Sequence, residues 1–132
     1  MSAERPKAVF EVECDRVKGQ GRPRFAGHAY ETKADRDWKA LISDEYREQC
    51  PGMVFRGPVA VRIDVHGRLP KREKLPSPNL VKPDVDNIAK AVLDALNGVA
   101  WDDDSQVVEL TVKKWDRTSR ASELMGVAVW EA

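Results

Sequence analysis

The sequence predicts an α+β fold, a mixed β-sheet of about four strands carrying two main helices. Three observations predict it. Val59, Val61, Ile63 and Val65 alternate with Ala60, Arg62 and Asp64, the pattern of a strand with one face buried. Two stretches, 34–49 and 86–96, place apolar residues at helical spacing instead. Shorter apolar-rich runs near 7–16, 107–115 and 124–130 supply the remaining strands. At 132 residues the chain suits one domain spanning 1–132, with residues 1–6 a frayed start.

Taken in order, Phe10, Val12 and Cys14 alternate with Val9, Glu11 and Glu13 as a first strand. Lys18-Gly19-Gln20-Gly21-Arg22-Pro23-Arg24-Phe25 then breaks all regular structure. Its two glycines and proline make a loop able to approach a ligand closely. The order of a phosphate-binding P-loop is absent. Trp38, Leu41, Ile42 and Tyr46 form the apolar stripe of the first helix, which starts near Thr32 or Lys33 and ends at Pro51-Gly52. The strand at 59–65 leads to His66, a strand-end residue and a weak candidate for DNA or a metal-bound water. Residues 67–83 hold a basic cluster and several prolines, a long loop, ordered or mobile, whose Lys71, Arg72 and Lys74 would become ordered on binding phosphate. The runs around 107–115 and 124–130 are expected to pair as a hairpin through a turn near Arg117–Arg120. The last of them is apolar on both sides, so it should be central or covered on both faces.

Composition narrows the class. Hydrophobic content of 42% and charged content of 33% fit a soluble globular protein, and no run approaches membrane-spanning length. Two cysteines, Cys14 and Cys50, make no disulfide framework or zinc spacing, so a reducing, cytoplasmic setting is expected. Net charge is zero, which excludes bulk attraction to a polyanion but not local patches. Distribution says more. Arg22, Arg24, Lys71, Arg72, Lys74 and Lys82 lie in basic segments on either side of an acidic centre and are candidates for DNA contact.

That centre runs from Lys82 to Leu96. Ile88, Ala91, Val92, Ala95 and Leu96 share one helical face; Asp86, Lys90 and Asp94 share another, four apart. Asp86 is expected as the N-cap, with Asn97-Gly98 as the stop. An extended run ahead of the helix would aim Asp84 and Asp86 to one side and Val85 to the other. Capping alone explains Asp86 in isolation. Its pairing with Asp84, and a second acidic run at Asp102-Asp103-Asp104, point to a divalent-metal site. Hard carboxylate oxygens suit magnesium, or manganese. The chain is expected to double back after the helix and bring the two acid groups together. Lys90 would then stabilise charge on a phosphate, or simply pair with Asp86 or Asp94. A calcium loop is excluded, because Ala89 and Ala95 replace its glycine and glutamate.

The ordered pair of motifs P-D-V-D-N-I-x-K-A-V-L-D-A-L-N at 83–97 and W-x-D-D-S-Q-V-V at 101–108 resembles the RusA family of Holliday junction resolvases, its phage and prophage members above all. Gly-Gln-Gly-Arg-Pro-Arg at 19–24 resembles that family's basic loop. The resemblance implies a homodimeric, magnesium-dependent endodeoxyribonuclease that cuts four-way junctions in pairs. It carries the essential carboxylates onto Asp84, Asp86 and Asp104, with Asp103 beside the last, and the helical lysine onto Lys90. Asp102 falls where some relatives are apolar. Two other functions stay open at this point: a broader branched-DNA or flap nuclease, and a silent DNA-structure binder.

Overall fold

Strand alternation decides the architecture. Val59, Val61, Ile63 and Val65 are all buried, so β4 (Val59–His66) commits one face to the core. The computed structural model describes residues 4–21 and 24–132. Beside β4 it contains β1 (Ala8–Cys14), a two-residue pair β2 (Arg24–Phe25) and β3 (Ala29–Tyr30), helices α1 (Lys33–Gln49) and α2 (Val85–Leu96), a 3-10 turn (Asp104–Gln106), and strands β5 (Val107–Lys114) and β6 (Glu123–Glu131). The fold is α+β, with a four-stranded mixed sheet and two main helices.

The sheet order is β1-β6-β4-β5. β6 runs antiparallel to both neighbours, whereas β5 runs parallel to β4 in the register Val61↔Leu110 to Val65↔Lys114. This overturns the hairpin expected between the last two strands: β4 lies between them. Parallel neighbours need a long crossover, and α2 supplies it from the end of β4 back to the start of β5. The turn at 115–122 therefore spans from one edge strand to a central one.

Both helices pack on the same sheet face. Phe10 meets Tyr46 edge-on at 5.4 Å, and the Ser43 hydroxyl donates to the Ala95 carbonyl at 2.7 Å, joining α1 to α2. Trp38, Ile42, Ile88, Val92, Leu96, Met125, Val127 and Val129 meet in one core. Each such side chain contributes on the order of 1.5–3 kcal/mol on burial. Of the two expectations for β6, the central place holds, between β1 and β4, and the double coverage does not. Met125, Val127 and Val129 are buried under the helices, while Leu124, Gly126, Ala128 and Trp130 are only partly covered.

Three further expectations are settled or changed. The described part of the supposed frayed start is fastened, since the Trp130 indole donates to the Glu4 carbonyl at 2.8 Å; residues 1–3 lie outside the described residues. The long basic loop, open in the sequence to being ordered or mobile, is pinned along its main chain. Leu69 N–H donates to the Thr118 carbonyl and Thr118 N–H to the Gly67 carbonyl, and Ser77 and Arg117 bond each other's main chain at 3.2 and 2.7 Å. Finally, α2 begins two residues early. Asp84 is its N-cap, with extended backbone, and Asp86 stands inside the first turn. Proline restricts the residue before it, Lys82, and leaves Asp84 free to start the helix at once.

Candidate metal centre and nucleic-acid interface

Asp84 occupies the N-cap without using its carboxylate as a cap; no side-chain cap bond forms. That leaves both oxygens outside the helix's own bonding, at the positive end of its dipole. Lys82 approaches Asp84 at 3.8 Å, and Lys90 approaches Asp86 at 3.9 Å one turn on. All four side chains are more than half exposed, so these pairs are weak and easily exchanged for a ligand. Asp94, the third member of that face, turns instead to Lys39 of α1 at 3.7 Å.

Two supports hold this end in place. Lys114 at the end of β5 donates to the carbonyls of Val81 and Pro83 at 2.6 and 3.0 Å, pinning the approach to α2. On the other side the glycine loop docks directly: Gln20 N–H donates to the Asn87 carbonyl at 3.0 Å. A Cβ on Gly19 would fall 2.7 Å from Pro83 Cβ and 2.9 Å from Asn87 Cβ, so only glycine permits this approach.

The Asp102–Asp104 run is built differently. Asp102 pairs with Arg56 at 2.9 Å. Asp103 caps the 3-10 turn, and its carboxyl is held below the usual range by hydrogen bonds from Ser105. Asp104 accepts from the buried Trp101 indole at 2.9 Å through Oδ1, which leaves Oδ2 for another partner. Gln106 ties the turn down. Its oxygen accepts from the main chain of Asp102 and Asp103, and its amide donates to the carbonyls of Phe55 and Gly57.

One chain does not bring the two acid groups together. Asp84 precedes α2 at the end of the sheet where β5 finishes, and Asp104 precedes β5 at the end where it starts. The 12 residues of α2 stand between them, about 18 Å of helix. Among the described residues no three His, Cys, Asp or Glu side chains gather closely enough to hold a metal ion. The donor chemistry suits magnesium, but a single chain offers it only in parts. The expected juxtaposition fails because the chain crosses the whole layer in α2 rather than doubling back.

Comparison with known proteins identifies the lineage. The family description Endodeoxyribonuclease RusA matches residues 16–122. The chain belongs to the RusA family. It is also 34% identical over 125 residues to the uncharacterized protein YqaN of Bacillus subtilis (strain 168), covering 80% of this chain and 86% of that one. Membership carries a nuclease role in general terms and DNA junctions as the general class of partner. No described helix is long and apolar enough to cross a membrane.

For a RusA-family chain, the basic residues are informatively placed. The loops after β1 and β4, the turn before β6 and the start of α2 all emerge at one end of the sheet. Lys71, Arg72 and Lys74 are exposed along the pinned loop, Lys82 is exposed beside Asp84, and Arg24 is exposed on β2. Arg22 lies outside the described residues. His66 stacks on Trp115 at 5.9 Å, with Lys113 over the same ring, so it packs on the sheet rather than joining the acids. Sequence reasoning missed Trp101, Gln106, Lys114 and Arg56. The Trp-to-Gln spacing around the acid run was visible, but its meaning lies in contacts across about fifty residues.

Proposed function

We propose that this chain is a magnesium-dependent endodeoxyribonuclease that resolves four-way DNA junctions by paired phosphodiester hydrolysis, acting as a homodimer. Each metal centre would take Asp84 and Asp86 from one protomer and Asp104, with Asp103 beside it, from its partner. The observation that carries this reading is the placement of the acids at opposite ends of α2. A second supports it: β5, antiparallel to α2, is an edge strand with Val108 and Leu110 exposed, and Val85 at the head of α2 is exposed as well. A two-fold axis across that edge would lay the acid pair of one protomer against the acid turn of the other.

Within such a centre the residues divide the work. Asp84, Asp86 and Asp104 would hold the ion, which when bound supplies Lewis acidity to the scissile phosphate; manganese meets the same oxygen donors. Lys90, freed from its long contact with Asp86, balances charge on the phosphate. Lys71, Arg72, Lys74 and Lys82, with Arg24 and Arg22, set the register of the strands through their backbones.

The decisive experiment uses a labelled four-way junction, with flap and linear duplexes as competitors, with and without magnesium. Paired nicks are expected only with metal. Asp84→Asn and Asp86→Asn should each cut at least about 100-fold more slowly, the scale on which even indirect metal partners are felt, while still binding the junction. Metal-independent cutting, or full activity in both variants, would overturn the reading; equal cutting of flaps would broaden the substrate.

A further inference from the structure

A cavity of about 290 Å³ opens beside Lys82 and Pro83, on the side of α2's head away from the glycine loop. Five basic residues line it, Arg16, Arg68, Lys82, Lys114 and Arg117, against two acids, Asp15 and Glu123. The acids are committed. Glu123 accepts main-chain N–H groups from Val17 and Arg68 at 2.9 and 3.0 Å, and Asp15 pairs with the Arg68 guanidinium. Lys114 is committed too, to the Val81 and Pro83 carbonyls.

Arg117 is not. Its Nε–H is buried without any acceptor. Its terminal nitrogen makes only long contacts, 3.4 Å to the Ser77 hydroxyl and 4.0 Å to Glu73. A buried donor left unmatched is costly, and a guanidinium edge is shaped for two parallel bonds to an oxyanion. Its backbone is fixed by the paired bonds to Ser77, so the side chain swings from a fixed point on the cavity wall.

From this we infer that the cavity is an anion subsite taking one backbone phosphate of the DNA strand lying next to the Asp84–Asp86 pair, with Arg117 as its central donor and Arg16 and Lys82 at its rim. Binding draws the guanidinium inward, exchanging the two long contacts for a bidentate pair. The inference rests on reading the acid pair as half of a DNA-cutting centre. It adds residues outside the acid motifs that fix where along the strand the cut falls.

Two arms test it. In the first, the ¹⁵N-labelled full chain without metal is titrated with the 5′-phosphorylated dinucleotide pTpT, and with inorganic phosphate. The Arg117 Nε–H signal, identified by its loss in Arg117→Lys, should shift saturably with pTpT, and Arg117→Gln should bind pTpT at least tenfold more weakly. No shift, undiminished binding by Arg117→Gln, or equal saturation by inorganic phosphate would overturn the strand contact. In the second arm, single neutral methylphosphonates are placed around the cut site of a four-way junction. One position should slow the wild-type protein at least tenfold and leave Arg117→Gln unaffected; identical profiles for the two proteins would refute the subsite. Should Arg117→Gln fold poorly by circular dichroism, Arg16→Gln takes its place in both arms with the same criteria. If the chain cuts no DNA, the nuclease reading fails while the pTpT arm still decides the cavity.

Discussion

Asp104 owes its position to side chains that carry no charge. Trp101 donates to it, and Gln106 clamps the turn through four hydrogen bonds. Gln106→Ala should therefore cost ~1–3 kcal/mol in urea unfolding and weaken magnesium-dependent cutting, with the fold retained; unchanged stability would show that the clamp is idle. The residue types of the site were legible in the sequence, because carboxylates in D-x-D-N and D-D-S-Q order announce oxygen chemistry. Which acid of the triplet is available was not legible. Arg56 claims Asp102 and the helix turn claims Asp103, and neither contact is local enough to read. Two other groups set an alkaline limit on stability. Burial, then the nearby Glu123, pushes the Cys14 thiol from 9.0 to about 11, and burial pushes Tyr46 from 10.0 to about 12. Above pH 9 the unfolded chain releases a proton that the folded one keeps, so stability falls as pH rises toward 11. Cys14→Ala should flatten the drop in melting temperature over that interval; identical slopes would assign it elsewhere.

Among the elements, α2 was read well in type and face but not in its first residue. Periodicity fixes the buried side of a helix; the start depends on whether the residue after a proline can take the N-cap position, and Asp84 does so through its extended backbone. The hairpin expected between β5 and β6 failed for a related reason. Their strand character was plain, but strand partners are chosen by the layer, and α2's crossover puts β4 between them. The glycine loop shows the opposite case, a local signal with a nonlocal cause. Gly19 was readable as a close approach, and the surface approached is the head of α2. Gly19→Ala should push the loop off Pro83 and Asn87, because neither opposing Cβ can swing away. The expected result is a protein with wild-type helix content by circular dichroism and junction cutting reduced by up to about 100-fold, the scale of a roughly 1 Å misplacement in a site. Full activity would detach the loop from function.

At the scale of the whole molecule, one end of the sheet carries the acid pair and the basic loops, and the other carries the acid turn. The proposed shared centre has a sharp consequence for mixed dimers. In a heterodimer of Asp84→Asn and Asp104→Asn, one centre collects both substitutions and the other collects none. Mixing two inactive proteins, with exchange of protomers, should restore single nicks on a four-way junction without restoring paired cuts. A mixture as inactive as its parents would place each centre within one chain. The crossover helix then acquires a meaning beyond packing. In a two-fold pair built this way, the distance between the two cutting centres is set by the length of α2, about 18 Å for 12 residues. In such a pair the helix would work as a ruler, and lengthening it by one turn would be expected to move the two cuts apart by about 5.4 Å.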